Sequence, residues 1–244
     1  MSSREDWQRR LGPLYGGAVA LVHSTPWRWP TEVGDDTRSP AWIVVLGLPV
    51  GLVAWLVAVL AKGVGMPPHL AALLGLAMLS VASATIIERG LAERVDHWQR
   101  QDRRPGVGAV LVLVFGMLLR AAAIVSVAPA SWLWVFLATA VLGRWAAIFL
   151  QALGDPIAGG DERRSLVATP SPAWLTAAIS AGVLALAIVA IGKIGIVAVA
   201  LAAIATFGLG LDAQRRDGGL SAPAVATAAA FAELCFLLVA TISR

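Results

Sequence analysis

Seven apolar runs punctuate this chain, each long enough to cross a bilayer as a helix: about Ala41–Ala61, His69–Ile87, Val107–Val127, Ser131–Leu153, Trp174–Ile191, Ile194–Leu211 and Ala222–Ile242. A hydrocarbon core about 30 Å thick needs about 20 such residues, and in lipid every backbone N–H and C=O must be satisfied within the protein. Only helices or a closed barrel meet that demand. Ala, Val and Leu fill these runs without the strict alternation of barrel strands, so the sequence predicts an all-α, polytopic membrane bundle. Composition agrees: 58% of residues are hydrophobic and 14% charged, more apolar surface than one soluble core of 244 residues can use.

The prolines punctuate these runs as helices require. Pro67-Pro68 opens the second, and Pro129 and Pro223 sit at starts, where a missing N–H does no harm. Pro49 lies inside the first run and is expected to kink it. Gly192-Lys193-Ile194-Gly195 reads as the hairpin tip between the fifth and sixth. Residues 1–40 form a separate N-terminal segment, because Leu11–Val22 covers only about 18 Å as a helix. It is expected to lie in the interface or to re-enter, with Trp27-Arg28-Trp29-Pro30 as a headgroup anchor. It lacks the small-residue cleavage pattern of a signal peptide. Residues 41–244 form one transmembrane domain.

Charge sets the orientation. Of nineteen Lys and Arg, five lie in residues 1–40, five in the loop 88–105, and two each in the loops 154–173 and 212–221. Lys62, Lys193 and Arg244 fall on the other side. The positive-inside rule then puts the N-terminus and the charged loops in the cytoplasm and the C-terminus outside. Fourteen of fifteen acidic residues gather on the same side, so the chemistry is expected there. No basic cluster is interleaved with stacking aromatics, which argues against nucleic acid as a partner. Cys235, the single cysteine, forms no internal disulfide, and no Walker loop, HExxH, CxxC or GxSxG is present.

The densest charge is Glu88-Arg-Gly-Leu-Ala-Glu-Arg-Val-Asp-His-Trp-Gln-Arg-Gln-Asp-Arg-Arg104. If the second helix continues past the membrane surface, Arg89, Glu93 and Asp96 share one stripe. Two carboxylates three residues apart suit Mg²⁺, with Asp102 joining from the following turn; a solvated helix end with Glu and Arg paired is the plainer alternative. Arg100, Arg103 and Arg104 precede the start of the third run, where free N–H groups favour an anion, although positive-inside residues read the same way. Arg144 and Glu233, both about 14–16 Å deep by helical rise, are expected to meet inside the bundle, directly or through a polar cavity. Arg120 is expected to snorkel, and His69 and His97 to be surface residues.

Several of these residues carry a likeness. The chain resembles the cobalamin-5'-phosphate synthase family, also called adenosylcobinamide-GDP ribazoletransferase, from about Leu14 to Ile242. The family's acidic stretch G-G-L-H-x-D-G-L-A-D-T-x-D-G is matched by Gly90, Leu91, Ala92 and Asp96, with Glu93 for Asp; Ile87 and Arg89 replace His and Asp. Its R-D-S-R-I-G-A-x-G is matched by Asp102, Arg104 and Gly106. Arg144-Trp145 is similar to its S-R-W, and Gly218-Gly219 with Glu233 to its C-terminal pattern, where Ala222-Pro223 and Ala230 depart. The resemblance implies a Mg²⁺-dependent transferase joining adenosylcobinamide-GDP to α-ribazole or its phosphate with release of GMP. It implies Glu93, Asp96 and Asp102 on the metal, Arg104 and Arg144 on phosphate, Asp102 also on the attacking hydroxyl, and Glu233 orienting Arg144. The departures from the pattern support a second reading, a non-catalytic membrane subunit for corrinoid enzymes. A small transporter is a third reading. A homo-oligomer or corrinoid-assembly partners are left open.

Overall fold

The computed structural model describes residues 4–27, 39–99, 106–154, 166–167 and 171–242. Among the described residues there is no strand, and eleven helices follow one another. They are α1 (Arg4–Leu11), α2 (Tyr15–Ser24), α3 (Ser39–Val45), α4 (Gly47–Gly63), α5 (Pro68–Ala82), α6 (Ile86–Trp98), α7 (Val107–Ser126), α8 (Trp132–Leu153), α9 (Ala173–Ile191), α10 (Ile194–Asp217) and α11 (Ala222–Ala240). Among the described residues six helices are long and apolar enough to cross a membrane, α3 and α4 counting together as Ser39–Gly63, and α5 with α6 forms a bent pair that makes seven if the pair is one span.

The helix boundaries follow the local chemistry. Pro49 clashes with the carbonyl four residues before it, and the first span breaks there, α3 ending at Val45 and α4 restarting at Gly47. Pro68 starts α5 and Pro223 lies in the first turn of α11, where Ser221 accepts the Ala224 N–H as an N-cap. Gly192, at φ 70°, turns the chain between α9 and α10.

Lipid tails are as apolar as Leu, so close packing must hold the bundle together. Small residues supply it. Gly47 and Gly51 lie four apart on α4, and a Cβ there would stand 2.8 Å from the Val141 Cα or 2.7 Å from the Phe136 carbonyl oxygen. Helix α8 is central, 78% of its most apolar 18 residues being buried, with α11 beside it; α7 and α9, at 22% each, are the least buried of the candidate spans. The N-terminal segment is too short to cross, and its α2 buries Tyr15, Val19 and Ala20, with Gly17 against the Trp42 ring of α3.

One expectation fails in an informative way. The second helix does not run on through the charged segment: it stops at Ala82, and α6 leaves at 75°. Helix α6 then runs antiparallel to α7. Near one end Glu88 meets Arg120, about 20 Å along α7 by helical rise, and near the other Asp96 meets Gly106 at its start. The first turn of the charged segment therefore lies inside the bundle.

Candidate functional site

The break between α5 and α6 organises the site. Ala84 N–H donates to the Val81 carbonyl and Thr85 N–H to that of Ser80, the paired bonds of a Schellman C-cap. That cap needs a left-handed residue, usually Gly. Here Ala84 and Thr85 adopt it, at φ 54° and 53°. Strain of about 1–3 kcal/mol per such residue persists where surrounding contacts enforce it.

Two buried arginines supply those contacts. Arg144 of α8 donates to the Ser83 hydroxyl (3.1 Å) at the end of α5 and to its own Ala140 carbonyl (3.1 Å). Arg120 of α7 donates to Glu88 Oε1 (3.1 Å) in the first turn of α6, which also accepts the Ser80 hydroxyl (2.6 Å). The second Arg120 terminal nitrogen pairs with Glu233 of α11. Ser80 and Ser83 are one turn apart on α5, so both arginine systems meet the same stretch of helix.

This arrangement corrects two expectations. Arg120 does not snorkel: it is 6% exposed and shared by two carboxylates, because α6 enters the bundle and brings Glu88 to it. Glu233 does not pair with Arg144. It reaches α8 one residue away, at Gly143, where a Cβ would stand 2.5 Å from Glu233 Oε1, but its ion pair is with Arg120. Arg144, 1% exposed, has no carboxylate partner among the described residues, and its Nε has no hydrogen-bond acceptor.

The outer half of α6 carries the carboxylate stripe. Glu93 pairs with Arg89 (2.7 Å), and Asp96 accepts the Gly106 N–H (2.7 Å), capping α7. Among the described residues no group of three His, Cys, Asp or Glu side chains stands close enough to hold a metal. Glu93 and Asp96, the described carboxylates expected on Mg²⁺, are each engaged in another contact, with the Arg89 guanidinium and the Gly106 N–H. Asp102 and Arg104, together with Arg100 and Arg103, lie outside the described residues.

Sequence reasoning missed a second cluster. Arg94, 2% exposed, pairs with Asp217 and with Asp212 (3.1 Å) of α10, lies 5.4 Å from the Trp98 ring, and shares Asp217 with His97 (3.2 Å). The signal was present: Ile87, Leu91, Arg94 and Trp98 fall at helical spacing on the apolar stripe, so Arg94 had to be buried and therefore paired.

Comparison with known proteins accords with this architecture. A family model described as cobalamin-5-phosphate synthase matches residues 18–241. A curated protein of Pseudomonas entomophila (strain L48), "Adenosylcobinamide-GDP ribazoletransferase", is 34% identical over 157 residues, which cover 57% of this chain and 62% of that protein. No solved structure matches. With all but the two ends of its length inside the family match, the chain belongs to the cobalamin-5-phosphate synthase family.

Proposed function

We propose that this protein joins adenosylcobinamide-GDP to α-ribazole or its phosphate at the cytoplasmic face of a bacterial inner membrane, releasing GMP. In this reading a ribose hydroxyl oxygen attacks the phosphorus borne by the cobinamide. A new O–P bond forms, the bond to the GMP phosphate breaks, and the hydroxyl proton passes to a nearby base. Phosphoryl transfer asks the protein chiefly for positioning and charge stabilisation.

Arg144 is the observation that carries the reading. A guanidinium buried in a membrane bundle is expensive unless paired, and among the described residues it has no carboxylate. An anionic ligand would pair it, and the diphosphate of the proposed substrate is such a group. Arg104 would hold the same phosphates from the segment before α7. Glu93 and Asp96, with Asp102, would hold Mg²⁺, whose chemistry is to neutralise the diphosphate charge. Asp102 would also align the attacking hydroxyl. Glu233 acts at one remove, fixing Arg120 and through it the start of α6.

Purified protein given Mg²⁺ and both substrates should release GMP, and Asp96→Ala should abolish release while the protein stays folded. No release from folded wild type would overturn the proposal. The Arg89–Glu93 ion pair favours the second reading, because it occupies one of the three suggested metal ligands. A non-catalytic subunit would fail to rescue a synthase-deficient, cobalamin-requiring strain when supplied alone; the enzyme would rescue it.

A further inference from the structure

Helix α6 presents two faces. Gly90, Arg94 and Trp98 line one, at i, i+4 and i+8, while Glu93 and Asp96 stand about 100° and 160° around the axis from Arg94. The first face is the one that is fixed. Gly90 lets α11 come so near that a Cβ there would stand 2.3 Å from the Ala226 Cβ. One turn on, the buried Arg94 bridges two carboxylates of α10, Asp212 (3.1 Å) and Asp217, with its guanidinium 5.4 Å from the centre of the Trp98 ring.

The two carboxylates are not equivalent. Asp212 is 29% exposed and also holds Arg216 (2.5 Å), four residues further along its own helix. Asp217 is 9% exposed, and both its oxygens go to α6, Oδ2 to Arg94 and Oδ1 to His97 (3.2 Å). It is also the last residue of α10, where the negative end of the helix dipole disfavours a carboxylate. The cations of α6 explain an acid set there. Directly after it Gly218, at φ 74°, turns the chain toward α11 and its N-cap Ser221. Arg94 stands where the family's acidic stretch has Thr, so the tie comes with this chain's own sequence.

We infer that Asp217 is a positioning residue for the transfer: through Arg94 it sets the rotation of α6 about its axis, and so the places of Glu93 and Asp96 and of the α7 start that Asp96 caps. The inference rests on the proposed reaction. Gly90 sets how deeply α6 lies against α11, whereas a directional charged hydrogen bond fixes its rotation. With side-chain tips about 5–6 Å from a helix axis, a turn of about 10° moves both carboxylates by about 1 Å. A misplacement of that size can lower a rate about 100-fold.

The test uses the full chain in nanodiscs, with GMP release for the rate and amide hydrogen exchange of α6 as a readout independent of activity. Asp217→Asn keeps an acceptor and leaves Arg94 its bond to Asp212. Arg94→Lys keeps the charge but loses the planar fork that bridges two carboxylates. Both variants therefore retain partners enough to fold. Each should lower kcat at least tenfold with the KM of both substrates within twofold of wild type, and the amides of residues 94–98 should exchange at least tenfold faster. The double variant should lose no more than the worse single one, since both act through one bond. Unchanged kcat, whether or not α6 exchanges faster, overturns the positioning role and leaves the transferase reading standing. A tenfold rise in KM, the mark of contact with substrate, or losses that multiply in the double variant overturn it too. Wild type that releases no GMP overturns the transferase reading and this inference with it.

Discussion

Replacing Arg120 with Met distinguishes a buried hub from a lipid-facing cation by the sign of the effect. If Arg120 faced lipid, removing its charge would leave stability unchanged or raise it, because a central arginine opposes insertion by about 2.5–3.5 kcal/mol. In the structure Arg120 is 6% exposed and joins Glu88 to Glu233, so its loss strands two carboxylates in the bundle. Glu88 keeps its bond from Ser80; Glu233 keeps no hydrogen-bond partner among the described residues. Removing one partner of a buried ion pair typically destabilises by about 3–5 kcal/mol. Arg120→Met should therefore unfold more readily by about that amount in reversible mixed-micelle denaturation. Glu233→Gln should cost less, and the double variant should recover about 0.5–3 kcal/mol of the summed losses, the range for directly coupled residues. A neutral or stabilised Arg120→Met, or strict additivity with Glu233→Gln, would refute the hub.

The same denaturation assay, with circular dichroism as a check on helix content, tests the packing and the break. Gly51→Val should destabilise by several kcal/mol and separate α4 from α8, since its Cβ would stand 2.7 Å from the Phe136 carbonyl oxygen; a loss below about 1 kcal/mol would mean that the helices slide apart freely. Ala84→Gly should stabilise by up to about 1 kcal/mol, because Gly adopts φ 54° without the 1–2 kcal/mol left-handed penalty but gives up more chain entropy. A destabilised Ala84→Gly would show that the bend does not require a left-handed residue.

The bundle was legible in the sequence because lipid leaves the backbone one solution, and apolar run length with terminal prolines marks it directly. The break was not legible. Nothing in Ser83-Ala84-Thr85 announces a Schellman cap, since its left-handed position holds Ala where Gly would have been the sign. What enforces it is tertiary: Arg144 and Arg120 reach in from α8 and α7, more than 30 residues away along the chain. For the same reason depth along separate helices found the right charged residues and the wrong pairs. Arg144 and Glu233 come within a residue of meeting at Gly143, yet α6, unplaced by periodicity, delivers Glu88 and redirects Glu233 to Arg120. The pairing on α6 itself was local and readable, as the Arg89–Glu93 contact shows.

Charge balance separates the two arginines, and with them structure from function. Arg120 is saturated by carboxylates, whereas Arg144 has a hydroxyl and a carbonyl. Arg144→Met would lose two hydrogen bonds from a charged donor, worth about 1.5–3 kcal/mol each, and a favourable cation at the α5 C-terminus worth about 0.3–1 kcal/mol. Against this, it would relieve a desolvation penalty of several kcal/mol for an unpaired buried ion. The two sides nearly cancel, so the ligand-free protein should change little in stability, while binding of adenosylcobinamide-GDP falls at least tenfold. Arg120→Met shows the opposite pattern, a large loss of stability from removing the same charge. If Arg144→Met instead destabilised the free protein by 3 kcal/mol or more and bound the nucleotide normally, Arg144 would be a structural residue of the break, and the anionic ligand would have to be sought elsewhere.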